Sequence, residues 1–326
     1  MLPLHAACVT PLGNFLNERD PRDTAPLVEK LYQFLPAPVA RLAEKRLTRR
    51  HMRSIASRVS FRRNSDSGWT VRHGAQAIAQ SRPLEHLVGR IDRPVTIVAT
   101  GPSAKDHDWK ELRDGGRFVI AVAGAPTVLK ERNLRPDLFV FSDSRFARYG
   151  IEHIRNAPGV PMVTVLRAAS FLATESRNEL LSRPFSLIEQ INSWYGLPKL
   201  PHDSLLALNR QSGSPFHFAD TQDPHYRTGW SAAPELGFFS GCTVAFVALQ
   251  IAVRLGAKDI EIVGMDLSGA GRAYDEGENE VRNSLTGHYE PVILPSFEIM
   301  SRVLNGSGIK VRNLSPVCAL PRSLFS

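Results

Sequence analysis

A chain of 326 residues, 43% of them hydrophobic, is long enough to bury a sizeable core as one large α/β domain or two modest ones, which excludes a disordered or low-complexity chain. No stretch approaches the roughly 18 consecutive apolar residues of a membrane span, and the start, MLPLHAACVTPLGNFLNERD, lacks the form of a signal peptide, so a cytoplasmic protein is expected. Three dispersed cysteines, Cys8, Cys242 and Cys318, fit neither a disulfide framework nor a zinc site, and 40 Lys and Arg against 32 Asp and Glu leave a net charge of +8.

The basic excess is concentrated in residues 41–63, RLAEKRLTRRHMRSIASRVSFRR, with nine Lys or Arg against one Glu. Leu42, Leu47, Met52, Ile55 and Val59 recur there at roughly helical spacing, which predicts a basic helix. Two uses fit such a helix. One is docking on an anionic membrane surface, worth about 1 kcal/mol per basic residue near the lipid; the other is a solvated helix packed on the main domain. Nucleic acid ranks lower, because no aromatic residue interleaves with the basic ones before Phe61. Residues 1–90 are read as a basic, mostly helical region, and 91–326 as the main domain.

From Pro94 onward, strands are expected at VTIVAT (95–100), FVIAVAG (118–124), LFVFSD (138–143) and PMVTVL (161–166), separated by helical patterns. That alternation implies βαβ units and a parallel sheet. Residues 170–235 break it with prolines and polar stretches and are read as an insertion that serves as a lid or binds an acceptor, or else as a long surface excursion. TVAFVALQIAVRLGA (243–257) is apolar nearly all round and predicts a buried helix ended by Gly256, feeding a last core strand, DIEIVGMDL (259–267). The fold class is α/β: a Rossmann-like, mostly parallel sheet flanked by helices, with the insertion, a lid over 268–290 and the helical basic N-terminal extension.

Ligands of open parallel sheets bind beyond the carboxyl ends of the strands. The first strand is followed there by Thr100-Gly101-Pro102-Ser103, where the glycine permits close approach of the backbone and Ser103 stands at a helix start whose amides suit a phosphate or carboxylate. Asp143 follows the third strand and Asp266 the last, each able to cap a helix or meet a ligand, and Ser240-Gly241 precedes the buried helix at the same edge. The loop is neither a G-x-G-x-x-G fingerprint nor a P-loop. Asp106-His107-Asp108 matches a D-x-D metal pattern formally, but within AKDHDWKEL it reads as a helix-capping segment, and no metal site is assigned.

The stretches IVATGPSAKDHDWKEL, FVIAVAG, LFVFSDSRF, FFSGCTVAFVALQIAVRLGAKDIEIVGMDLSG, GHYEP and NLSP resemble the lipopolysaccharide-core transferases of the WaaZ type, which add a third Kdo residue. More distantly they are similar to the bacterial sialyltransferases of glycosyltransferase family 42. The resemblance covers about residues 94–317, apart from 170–235. It implies a metal-independent, cofactor-free, inverting transfer of a 2-keto-3-deoxy sugar acid, most simply Kdo, from its CMP-activated form to lipopolysaccharide core or another glycan acceptor. It also implies that His288 is the base for the acceptor hydroxyl and that Tyr274 steadies the leaving phosphate, with Ser268 where the family has a second tyrosine; Tyr289 is a further lid candidate.

The chain departs from the sialyltransferase pattern at Ala123, where an Asn is expected, at Gly237, where an Arg is expected, and at Asp143, which replaces another Asn. Arg145 or Arg227 can supply the missing positive charge. Such an enzyme would work on the inner face of the cytoplasmic membrane, held there peripherally by 41–63, with no nucleic acid partner. Three alternatives remain: a CMP-sialic acid-dependent sialyltransferase, a pterin-type pyrophosphokinase using ATP and magnesium, and a non-catalytic nucleotide- or glycan-binding protein.

Overall fold

The computed structural model describes residues 59–195, 199–219, 225–267, 271–274 and 285–325. It opens with a three-stranded antiparallel sheet of β1 (Val59–Arg63), β2 (Trp69–His73) and β3 (Gln76–Gln80). After α1 (Leu84–Val88) the chain alternates through β4 (Val95–Val98), α2 (Lys110–Arg113), β5 (Phe118–Val122), α3 (Ala125–Lys130), β6 (Leu138–Val140), α4 (Phe146–Tyr149), α5 (Ile151–Arg155) and β7 (Met162–Val165). It continues with α6 (Leu166–Glu175), α7 (Arg177–Leu181), β8 (Phe185–Ile188), α8 (His202–Arg210) and a small hairpin of β9 (Phe216–His217) and β10 (Trp230–Ser231). Last come α9 (Val244–Arg254), β11 (Asp259–Val263), α10 (Leu294–Leu304) and β12 (Lys310–Asn313).

Seven strands form one wholly parallel sheet in the order β12-β11-β4-β5-β6-β7-β8. From β4 the chain winds one way to β8 and the other way to β11 and β12, so the topological switch lies between β4 and β11. The crevice beyond the carboxyl ends of a doubly wound sheet opens at that point.

Alternation along the strands builds a core on each face. Val95 and Ile97 of β4, with Phe118, Ile120 and Val122 of β5, face α9 and α10. Val98, Val119, Ala121 and Phe139 face the opposite layer, which holds Val128 and Leu129 of α3, Ile154 of α5 and Leu172 of α6. Every residue of α9 from Ala245 to Ala252 is buried, as an all-round apolar helix requires. Among the described residues no helix is long and apolar enough to cross a membrane.

Two expectations are corrected. The end of the basic segment is not helical: Val59 and Phe61 are buried in the α6-side core while Ser60 and Arg62 point away, the period of a half-buried strand. Residues 1–58, including 41–58 of the basic segment, lie outside the described residues. The sheet also does not end at β7, because Phe185–Ile188, inside the expected 170–235 insertion, forms the seventh strand and pairs in register with β7. All four residues of β8 are buried, so it carries no alternation to betray it, and Pro184 just ahead of it reads as a break.

Candidate active site

Asp266 joins the loops beyond three strands. It is only 3% exposed. Its Oδ2 accepts the Ser103 amide at 2.9 Å, and its Oδ1 accepts the hydroxyls of both Ser103 and Ser315. The Gly101 amide donates to the Gly264 carbonyl at 2.8 Å, and a Cβ on Gly101 would lie 2.6 Å from the Asp266 carboxylate, so only glycine fits this crossing. The Ser103 amide, expected to be free for a ligand, is therefore committed to Asp266. A buried carboxylate needs such donors, because leaving it unpaired costs several kcal/mol. Ser315 was not among the expected site residues, although it lies in the NLSP stretch, 49 residues from Asp266.

The Ser240-Gly241 turn is held at the start of α9. Gln250, fully buried in α9, donates to the Phe239 carbonyl at 2.8 Å and accepts the Phe239 amide at 3.1 Å, fixing the residue before Ser240. Ser240 Oγ accepts the Cys242 amide at 3.4 Å. Gly241 has φ +49°, and a Cβ there would meet the Phe246 ring at 2.6 Å. Because α9 runs back toward the start of β11, its positive end faces the same edge as the Gly101 turn.

Thr100 anchors the stretch that carries Tyr274: its carbonyl accepts the Ala273 amide at 2.9 Å. The phenol of Tyr274 then lies over Gly124 at the end of β5, where a Cβ would come 2.6 Å from the Tyr274 hydroxyl. On its other side is His153, ring centroids 4.5 Å apart. Ala123 takes the left-handed conformation, φ +49°, a strained state for a residue with a Cβ that brings Gly124 under the phenol.

His288 and Tyr289 lie in the turns that lead into α10. Thr286–His288 is one tight helical turn, followed by a π-helical turn over Tyr289–Ile293 that leads into α10. The Tyr289 hydroxyl donates to the Ala319 carbonyl at 2.6 Å, and the Ala319 amide donates to the Asp266 carbonyl at 2.9 Å. Burial, helped by Glu290 and Cys318, pushes the Tyr289 phenol upward, so it stays a neutral donor. The Thr228 hydroxyl donates to the Pro291 carbonyl at 3.3 Å, and the Gly241 amide to the Arg227 carbonyl at 2.9 Å. Hydrogen bonds and the short chain segments between them thus link Gly241, Arg227-Thr228, the turn from His288 to Pro291, Ala319, Asp266 and Ser103. The half-buried imidazole of His288 makes no hydrogen bond within the described residues.

Asp143 and Arg145 satisfy each other. The Asp143 carboxylate accepts the Arg145 amide at 2.8 Å and pairs with its guanidinium at 2.9 Å, which holds that guanidinium above its ordinary range through this hydrogen bond and charge. Both are substantially exposed beyond β6, and Asp143 acts there as a turn cap. Pro102 opens the short turn Pro102–Lys105 that carries Ser103. Ser268 and residues 275–284 of the expected lid lie outside the described residues.

Asp108 of the D-x-D stretch accepts the Lys110 amide at 3.0 Å, a turn bond just ahead of α2, whose N-cap position is Trp109. Among the described residues no three His, Cys, Asp or Glu side chains are grouped so as to hold a metal ion.

The resemblance drawn from the sequence is borne out by two curated relatives. The chain is 26% identical over 244 residues to a probable 3-deoxy-manno-octulosonic acid transferase of Escherichia coli K12, covering 73% of this chain and 84% of that one. It is 25% identical over 247 residues to the probable 3-deoxy-manno-octulosonic acid transferase of Salmonella typhimurium LT2, covering 74% and 89%. Among solved structures, the MAf glycosyltransferase of Magnetospirillum magneticum AMB-1 is similar at 13% identity and a TM-score of 0.42; the match covers 71% of this chain but only 33% of that one. The sialyltransferase CstII of Campylobacter jejuni, solved with CMP-3FNeuAc, is similar at 13% identity and a TM-score of 0.38, covering 72% and 88%. No family model matches the chain.

Proposed function

We propose that the protein is a glycosyltransferase that moves a 2-keto-3-deoxy sugar acid, most simply Kdo, from its CMP-activated form to a saccharide acceptor of the lipopolysaccharide core. The observation that carries this reading is the convergence at one sheet edge of the Gly101 turn, the positive end of α9, the Tyr274 phenol over Gly124 and the His288-Tyr289 turn. The curated relatives support the choice of sugar.

In this reading the acceptor hydroxyl attacks the anomeric carbon, the bond from that carbon to the phosphate oxygen breaks, and CMP leaves with inversion. His288 takes the hydroxyl proton as general base, a contribution of about 10²- to 10⁴-fold. Negative charge grows on the departing phosphate, and the Tyr274 hydroxyl with the amides at the start of α9 meets it, so the reaction is proposed to need no divalent metal. Asp266, with both oxygens engaged, shapes the crevice rather than touching the donor. Arg145 and Arg227 are proposed for the acid groups of donor or acceptor, Tyr289 for the wall of the acceptor side, and the basic stretch 41–58 for reversible contact with anionic lipid.

The test is CMP release in EDTA from CMP-Kdo generated in situ, with a Kdo-bearing lipid A acceptor, for wild type and His288→Ala. Acceptor-dependent release that falls about 10²-fold or more in the variant supports the transferase and its base. Wild type silent in EDTA but turning over ATP with magnesium and a hydroxymethyl pterin would replace this reading with a pyrophosphokinase.

A further inference from the structure

His153 sits on α5, outside every motif that pointed to the site, yet its ring lies between Phe146 and Tyr274. It stacks on Phe146 with centroids 5.7 Å apart and planes 13° off parallel, and meets Tyr274 at 4.5 Å and 56°. Its Nδ1 is 2.6 Å from the Thr127 hydroxyl. That hydroxyl also accepts the Asn156 side-chain amide at 2.8 Å, and the Asn156 oxygen accepts the Lys130 ammonium at 2.8 Å.

The direction of this chain can be assigned from donors alone. Lys130 only donates, so the Asn156 atom facing it is the oxygen and the atom facing Thr127 is the NH₂. Thr127 Oγ1 therefore accepts from Asn156. Among the described residues its own proton has one acceptor in reach, His153 Nδ1. Nδ1 is then unprotonated, and in the neutral ring the proton sits on Nε2. Desolvation lowers the affinity of this imidazole for a second proton, outweighing the opposing charge of Glu152, so the ring stays neutral.

We propose that His153 is a positioning residue for Tyr274: the Lys130, Asn156 and Thr127 side chains fix its ring as the Nε2–H tautomer, and that ring holds the phenol over Gly124. The backbone beside Tyr274 is tied down by the Ala273 amide on the Thr100 carbonyl at 2.9 Å. Phe146 and His153, borne by α4 and α5, supply the surface on which the phenol ring itself rests. The proposal rests on the transferase reading for what Tyr274 does, but not for where His153 stands.

Two measurements test it. Long-range ¹H–¹⁵N NMR of the wild-type imidazoles, with His153→Gln for assignment, reads the tautomer without turnover; an unprotonated Nδ1 and protonated Nε2 are expected, and the reverse tautomer overturns the proposal. Kinetics then ask whether His153 acts through Tyr274. Thr127→Val is expected to lower kcat about 10-fold with donor KM within about twofold, while Thr127→Ser, which keeps the hydroxyl, restores most of it. In a Tyr274→Phe background, Thr127→Val and His153→Gln are expected to add less than about twofold. Losses that multiply with Tyr274→Phe, or that track a fall in melting temperature, overturn the positioning role. If wild type shows no acceptor-dependent CMP release, the transferase reading fails while the NMR result still decides the Thr127–His153 arrangement.

Discussion

Gly124→Ala separates the placement of Tyr274 from the stability of the fold. Gly124 has φ −75° and ψ −1°, a conformation alanine adopts without strain. The added methyl would nevertheless stand 2.6 Å from the Tyr274 hydroxyl and closer still to the ring edge, whereas non-bonded carbon atoms rest about 3.5–4.0 Å apart. Because the sheet fixes β5, the ring gives way by about an ångström. A displacement of that size can cost about 10²-fold in rate. Stability should move by less than about 1 kcal/mol, since the restricted unfolded chain offsets the poorer helix start. The assay is steady-state CMP release beside thermal unfolding of the same preparations. About 10²-fold lower kcat with a nearly unchanged melting temperature is expected, with no further loss on adding Tyr274→Phe. Wild-type kcat in Gly124→Ala, with a crystal structure showing the phenol moved, would refute the idea that its position over Gly124 matters to the reaction.

Other outcomes follow from neighbouring parts. Asp266→Asn puts an NH₂ among the donors of Ser103 and Ser315, leaving at least one donor unmatched, and should lower the urea midpoint by the equivalent of about 1–3 kcal/mol. Gly101→Ala should be worse tolerated than Gly124→Ala, because its methyl would also meet the Gly264 carbonyl at 2.6 Å, backbone that cannot swing aside; soluble yield and melting temperature report it. Glu189 gives a pH signature. Burial raises its carboxyl from 4.5 to about 7, opposed by the Tyr195 amide and the Arg63 charge. Folding therefore favours the protonated form, and that contribution is complete below pH 4.5 and lost as pH rises through about 7, by at most about 3 kcal/mol. Denaturation from pH 5 to 7.5 should show wild type losing stability more steeply than Glu189→Gln; parallel curves would contradict it.

The inner strands were legible because each is a short β-rich run bounded by a loop: β4, β5, β6, β7 and β11 all fall inside the expected segments, as does α9. β12 escaped because KVRN is an edge strand with only Val311 buried. β1 lies in a run whose charges and apolar spacing predict a basic helix, although the Val59-Ser60-Phe61-Arg62 alternation is a readable signal of a strand. In the site, residues directly after strands could be found from sequence, since topology sends them to one edge. What they touch could not. Ser315 meets Asp266, and Thr127 meets His153, through contacts that no local pattern encodes.

The Asp266 junction bears on the order in which the molecule assembles. Its donors come from residues 163 positions before and 49 after it in the chain. Closing loops of that length has an entropic cost that must be met before the contacts return anything, so pairings of this kind form late in folding. A refolding intermediate with β4 to β8 already in register would hold most of the sheet and none of the finished crevice. Ligand binding during refolding should therefore lag behind the recovery of strand signal.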